Sequence, residues 1–330
     1  MKPSLPSLRV GVIGAGKVAT DAHLPVLKAM TGVELVWLLD NDSRRCEAVA
    51  SAFRITPLAH VPADLSGTDV VLLAVPLLSR TAYLERFADS PVAVLSEKPL
   101  AITSHAHSHL LRTFQPWRLS VGYQRRMYAT LRSIKQILDA RIFGKPRCIR
   151  IAEGNRVTRA GDFATYQDLS FREGGGITLN LGCHTIDLAI WMYSACRFEI
   201  EHRYVVWDEA TDRHASSRLR LFREGDEDGC LVDWTVSWLE PQPNTIEVEF
   251  ESVTLSVPIT PANHIVLRGP SGAPIGQLAP WASDGGRTSA QCFYCEWQDV
   301  LTSVSLHTPG ILTANSSLLT AQVIDAVLAP

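Results

Sequence analysis

The sequence predicts an α/β protein of two domains. A doubly wound parallel sheet fills residues 1–124, and an α+β domain with a largely antiparallel, open sheet fills residues 125–330. Three observations carry this reading. Gly14-x-Gly16-x-x-Ala19 lies between an apolar run and a helical stretch, where glycines allow a tight turn and close approach of backbone to a pyrophosphate. Short β-branched runs then alternate with helical periods as far as Gly122, the rhythm of βαβ units. After Gly144-Lys145-Pro146 that rhythm stops and strand-like segments dominate.

Leu8–Ile13 reads as the first strand, with Gly11 inside it, and a helical stretch runs on to Met30. The loop between them makes Gly11, Gly14, Gly16, Lys17 and Val18 candidate contacts for a dinucleotide in a Rossmann domain, with the helix N-terminus facing the anion. Val33–Leu39 ends in Asp40, 24 residues past Gly16, where a carboxylate grips the adenosine ribose and repels a 2′-phosphate. NAD is therefore favoured, and the neighbouring Arg44 and Arg45 keep NADP open as an alternative. Asp69–Val75 is an apolar run typical of a central parallel strand; Val75 and Pro76 end it on the nicotinamide side. A helix over Arg80–Asp89 leads to the strand Pro91–Leu95 and then to Ser96-Glu97-Lys98-Pro99-Leu100-Ala101. A Glu97-Lys98 pair at the carboxyl end of such a strand sits where open α/β sheets bind ligands. Pro99 keeps Lys98 extended, so its ammonium projects forward. A helix over Thr103–Phe114 and a strand at Leu119–Gly122 complete the domain.

The second half reads as strands over Arg147–Glu153, Glu199–Trp207, Ser216–Phe222, Cys230–Trp238, Thr245–Glu251 and Val253–Val257. Helices are expected over Ser289–Ser303 and Asn315–Leu328, the C-terminal one a candidate to pack back on the first domain. One further helix, Ile177–Tyr193, follows Gly174-Gly175-Gly176. It carries Asn180, His184, Asp187 and Trp191 on one stripe of an otherwise apolar circumference. A helix apolar nearly all round is buried, so its polar stripe either forms a bonded core network or lines a cavity. Asp187 fits the core network and His184 fits the cavity.

Lys plus Arg number 31 against 34 Asp plus Glu, a net charge of −3, which argues against a nucleic-acid or anionic-membrane partner. With no apolar signal core and no long apolar run, the expected compartment is the cytoplasm. The seven cysteines form no disulfide pattern. Cys292 and Cys295 make a lone CxxC inside a helix, so no metal site is expected.

Gly14-x-Gly16-x-x-Ala19, Glu97-Lys98-Pro99-Leu100-Ala101, Gly122-Tyr123-Gln124-Arg125-Arg126 and Gly182-Cys183-His184-Thr185-Ile186-Asp187 occur together and in this order. The combination resembles the Gfo/Idh/MocA family of glucose–fructose oxidoreductase, inositol dehydrogenase and rhizopine-catabolism proteins, over almost the whole chain. The resemblance implies NAD(P)-dependent oxidation or reduction at a carbinol carbon of a sugar or cyclitol, and a homodimer or homotetramer built through the C-terminal sheet. It places Lys98 beside nicotinamide and substrate, makes His184 the proton acceptor, and matches Arg126 to an arginine at the domain junction.

Elementary chemistry agrees. Hydride cannot leave a secondary alcohol unless the hydroxyl proton leaves too, and a histidine with pKa near the working pH suits that task. Lys98 can stabilise the developing alkoxide. Two departures stand out. Asn180 replaces the family's usual aspartate four residues before the histidine; it can orient His184 or a hydroxyl but cannot take a proton. The stretch Val75–Arg80 lacks the Asn and His familiar after that strand. Asn155, Arg156 and Tyr166 on the loop before the glycine triplet, with Asn180, His184 and Arg126, are the candidate substrate contacts. Two other readings compete: an NAD/sugar-binding regulatory protein with impaired catalysis, and a glycosidase-type enzyme that uses NAD without net redox.

Overall fold

The computed structural model describes residues 7–157, 175–283 and 285–330. The chain divides into two compact units. The first holds the chain up to Ala101, His105–Gln124 and Ser289–Ser316; the second holds Ile102–Ser104, Arg125–Thr288 and Ser317–Pro330. The helix that rejoins the first unit is the penultimate one, Ser289–Leu306. The final helix, Leu318–Leu328, belongs to the second unit.

In the first unit β1 (Leu8–Ile13), β2 (Val33–Leu39), β3 (Thr56–Leu58), β4 (Val70–Leu73), β5 (Ala93–Ser96) and β6 (Leu119–Val121) form one parallel sheet in the order β3-β2-β1-β4-β5-β6. Every residue of β4 and β5 is buried, as expected of strands covered on both faces. Strand β3 escaped sequence reading because it is a three-residue edge strand containing Pro57. A π-helical turn over Ala19–His23 runs into α1 (Leu24–Ala29), followed by α2 (Ser43–Phe53), α3 (Leu77–Ala88) and α4 (Ser104–Thr113). Helix α2 starts where the Asp42 side chain accepts from the Arg45 amide at 3.1 Å. Helix α3 begins directly after Pro76, earlier than its periodicity suggests, because proline tolerates the helix start, where no amide donor is required.

In the second unit β7 (Cys148–Gly154), β8 (Arg197–Asp208), β9 (Thr211–Phe222), β10 (Cys230–Ser237), β11 (Thr245–Glu249), β12 (Thr254–Pro258), β13 (Ile265–Arg268) and β14 (Pro274–Leu278) lie in the order β14-β13-β12-β11-β7-β10-β9-β8. All pairs are antiparallel except β7–β10. The helices are α5 (Ala129–Asp139), α6 (Cys183–Tyr193), preceded by a π-helical turn over Thr178–Gly182, and α8 (Leu318–Leu328); α7 (Ser289–Leu306) is the one in the first unit. Strand β10 alternates buried Cys230, Val232 and Trp234 with less buried Leu231, Asp233 and Thr235. Val232 and Trp234 meet Ile186, Ala189 and Ile190 of α6. The opposite face carries ion pairs: Arg218–Asp233 at 2.7 Å, Arg150–Glu249 at 2.5 Å and Arg220–Glu201 at 2.8 Å. Strands β13 and β14, exposed and rich in glycine and proline nearby, carry too weak an alternation to be read from sequence. Among the described residues no helix is long and apolar enough to cross a membrane.

Candidate functional site

The strand order reverses between β1 and β4, and the chain leaving β1, β2, β4 and β5 lies on the carboxyl edge of the sheet around that switch. Gly14 has φ +101°, and a side chain there would come within 2.3 Å of the Ala74 carbonyl oxygen. Only glycine fits. A Cβ on Gly16 would meet no atom within 4 Å, so backbone is open there for a phosphate to approach. Lys17 is exposed and pairs with Asp21, and Val18 is the helical residue leading into the π-turn. Gly11 does something else. A Cβ there would lie 2.2 Å from the Trp37 indole, so this glycine, expected to contact the cofactor, makes room for a β2 side chain.

Asp40 accepts from the Ala15 amide at 2.7 Å, the Asp42 amide at 2.8 Å and the Arg45 guanidinium at 2.7 Å. Burial raises its pKa, but Arg45 and the two amides outweigh that and hold the carboxyl below its usual range. A carboxylate tied to the glycine loop is thus fixed at the end of β2. Val75 flanks the same loop, with Cγ1 3.1 Å from the point where a Gly14 Cβ would stand, and Pro76 is exposed. The open backbone, the phosphate-facing helix start and the fixed carboxylate fit a dinucleotide.

Lys98 follows β5, partly exposed, and its bond to Pro99 is cis. The loop around it is held from behind. Buried Arg80 of α3 donates to the carbonyls of Val75 (2.9 Å), Glu97 (2.6 Å) and Pro99. The Glu97 carboxylate accepts from His23 Nε2 at 2.9 Å and from the Lys98 amide at 3.2 Å. The Trp297 indole N–H donates to His23 Nδ1 at 3.0 Å. Indole is a donor only, so Nδ1 is unprotonated and Nε2 carries the proton given to Glu97. The carboxylate of Glu97, expected to contact the cofactor, is engaged by His23 and the Lys98 amide and so supports the lysine loop. Sequence reasoning missed Arg80, His23 and Trp297. They lie 17, 74 and 200 residues from Glu97, and no local pattern links them.

In the second unit His184 lies on the first turn of α6 and is buried, as are most α6 residues. Its helix packs close to β10: a Cβ on Gly182 would stand 2.8 Å from the Trp234 ring, and Trp234 Nε1 donates to Thr185 Oγ1 at 2.7 Å. The start of the preceding π-turn is capped from another strand, because Asp212 of β9 accepts from the Thr178 amide at 2.8 Å. Gly176, at φ +90°, is pressed on the same carboxylate; a Cβ would lie 1.8 Å from Asp212 Oδ1. Gly176→Ala is expected to cost about 1–3 kcal/mol through backbone strain and loss of this cap. Faster hydrogen exchange of the Thr178–His184 amides would register it.

Arg126 has no exposed surface and forms a two-pronged ion pair with Asp187, with Nε–Oδ2 at 2.8 Å; Thr320 of α8 adds a hydrogen bond at 3.1 Å. Asp187 therefore belongs to a core network, as its place on the helix suggested. Arg126, expected to contact substrate, has its guanidinium buried on Asp187. Asn155 and Arg156 are exposed just past β7, Asn180 is partly exposed, and Tyr166 lies outside the described residues. Arg125, next to Arg126, instead pairs with Glu153 of β7 at 2.6 and 2.9 Å. Cys292 and Cys295, on α7, are not in a disulfide.

A parallel 3-2-1-4-5-6 sheet with this glycine loop defines a Rossmann dinucleotide domain, here joined to a second unit with a mixed eight-stranded sheet. Residues 8–122 match the oxidoreductase family with an NAD-binding Rossmann fold, and residues 131–256 match the GFO/IDH/MocA C-terminal domain. The chain belongs to the Gfo/Idh/MocA family. It is 28% identical over 221 residues to an inositol 2-dehydrogenase of Saccharopolyspora erythraea, covering 64% of this chain and 63% of that protein. The chain thus spans less than two thirds of that relative's length. Its fold matches KijD10, a 3-ketoreductase from Actinomadura kijaniata in complex with NADP and TDP-benzene (TM-score 0.78, 20% identity, 98% and 97% of the two chains). It also matches an oxidoreductase from Agrobacterium radiobacter in complex with NAD+, L-tartaric acid and magnesium (TM-score 0.77, 19% identity, 97% and 95%).

Proposed function

We propose that this chain is an NAD(P)-dependent oxidoreductase. It moves a hydride between nicotinamide and a carbinol or keto carbon of a sugar, cyclitol or sugar derivative. The observation that carries the reading is the convergence of Gly16, Asp40, Val75 and Lys98 on one edge of the parallel sheet, at the reversal of strand order. Gly14, Gly16 and the helix beginning at Lys17 hold the pyrophosphate, and Asp40 the ribose hydroxyls. When bound, the nicotinamide supplies the hydride acceptor or donor. In oxidation His184 takes the hydroxyl proton as the carbon loses its hydride, and Lys98 donates a hydrogen bond to the oxygen as negative charge builds on it. Reduction runs the same transfers backwards. Asn180 orients the imidazole or a substrate hydroxyl without exchanging protons. The activities of the similar inositol dehydrogenase and ketoreductase support a polyol or keto-sugar as substrate.

The test is a panel of cyclitols, aldoses, uronates and nucleotide-activated keto-sugars with NAD(H) and NADP(H), followed by nicotinamide absorbance. Turnover with no member would overturn the reading. Cofactor choice has its own test. Arg45 already sits on Asp40 at 2.7 Å, so Asp40→Ala frees a guanidinium for a 2′-phosphate while removing the ribose acceptor. The ratio of kcat/KM for NADP over NAD is expected to rise about 10–100-fold, the worth of one charge-assisted hydrogen bond. An unchanged ratio would remove Asp40 from cofactor selection. Assembly into a homodimer or homotetramer through the ion-paired face of the eight-stranded sheet completes the proposal, and sedimentation velocity checks it.

A further inference from the structure

A second carboxyl group lies behind the Lys98 loop, and the proposed chemistry has no use for it. Glu296 of α7 has no exposed surface, and among the described residues neither carboxyl oxygen has a hydrogen-bond partner. It is close to Glu97: a methyl group built on Gly122 would stand 3.3 Å from Glu296 Oε1 and 3.5 Å from Glu97 Oε1. The ionisable groups around the pair can be named. His23, on the π-turn packed against α7, faces Glu97 and carries its single proton toward it. Arg80 and Lys98 act on Glu97. Asp299, further along α7, accepts from the Ile311 and Leu312 amides at 3.0 Å and adds negative charge near Glu296.

We propose that Glu97 and Glu296 form a carboxyl pair holding one proton, kept on Glu296, and that Glu296 is thereby a positioning residue for the lysine loop. As a neutral acid it leaves Glu97 the single charge that binds His23 and the Lys98 amide. Two carboxylates this close in a dry site cannot both ionise at modest cost, so the better-supported one keeps the charge. Glu97 has the support. Burial raises its pKa, but the His23 hydrogen bond and the charges of Arg80 and Lys98 outweigh that and lower it. Burial, then Glu97, then Asp299 push Glu296 well above the ordinary carboxyl range. The proton assignment is a property of the fold; only its effect on turnover rests on the role proposed for Lys98.

The test uses the full chain. At neutral pH the infrared difference between wild type and Glu296→Gln should show a protonated-carboxyl carbonyl band in wild type that shifts in deuterium oxide. No such band, or one lost in Glu97→Gln and kept in Glu296→Gln, overturns the assignment. Should Glu296→Gln fail to fold, wild type labelled with 13C at glutamate carboxyls answers instead, with one glutamate signal still protonated at neutral pH. For positioning, the 15N signals of His23 should move in wild type as Glu296 ionises with rising pH and stay put in Glu296→Gln. The kcat profile should bend at the same pH in wild type only, changing about tenfold per pH unit. His23 signals that titrate alike in both proteins overturn the positioning role. If the infrared and His23 results hold but no polyol is turned over, the oxidoreductase reading fails and this inference stands.

Discussion

Lys98→Ala should lower kcat/KM by about 10²–10⁴-fold, the range for removing a group that acts on proton transfer at the reacting oxygen. The expectation is sharp because several bonds that hold the loop backbone come from other side chains. Arg80 binds the carbonyls on either side of it, and Glu97 binds the Lys98 amide, which alanine keeps. Substitution therefore removes an ammonium group without releasing the backbone. The loss should fall on kcat, while nicotinamide binding, followed by fluorescence titration of NADH, changes little. Lys98→Arg should not restore the rate, because the longer, planar guanidinium does not place a donor where the compact ammonium stands. Undiminished turnover in Lys98→Ala would take the lysine out of the mechanism.

Asp187→Ala is expected to cost about 3–5 kcal/mol of stability, the penalty for removing one partner of a buried ion pair. Arg126 and Asp187 are each only 1% exposed at the side chain, so bulk water does not replace the lost carboxylate. Thr320 would lose its acceptor as well. The pair joins the start of the second unit to α6 and, through Thr320, to α8. Urea denaturation followed by far-ultraviolet circular dichroism should show a lower midpoint. Arg126→Met with Asp187→Leu, which removes both charges together, should recover much of the loss. A single variant as stable as wild type would mean that the ion pair contributes little.

The first unit was legible because its signals are local. Gly14 and Gly16 lie within three residues of each other, Asp40 follows its strand directly, and the all-apolar β4 and β5 announce burial on both faces. The stripe on Ile177–Tyr193 was legible for the same reason, since helical period alone separates His184 from the apolar positions. Less came through where a role depends on a partner. Gly11 has the composition of a phosphate-loop glycine, and only the Trp37 ring against it reveals packing. Arg126 looked available to substrate until its carboxylate partner, 61 residues away, was placed.

Chain chemistry alone therefore determined the architecture and the place of the glycine loop, because these depend on period, spacing and side-chain type within short windows. Tertiary structure alone decided which polar groups are occupied by one another. His23, Trp297, Glu97 and Glu296 come from three separate stretches of sequence, and their protonation states follow from burial and mutual contact. Desolvation and charge–charge coupling act through space over a few ångströms, a distance that sequence order does not encode.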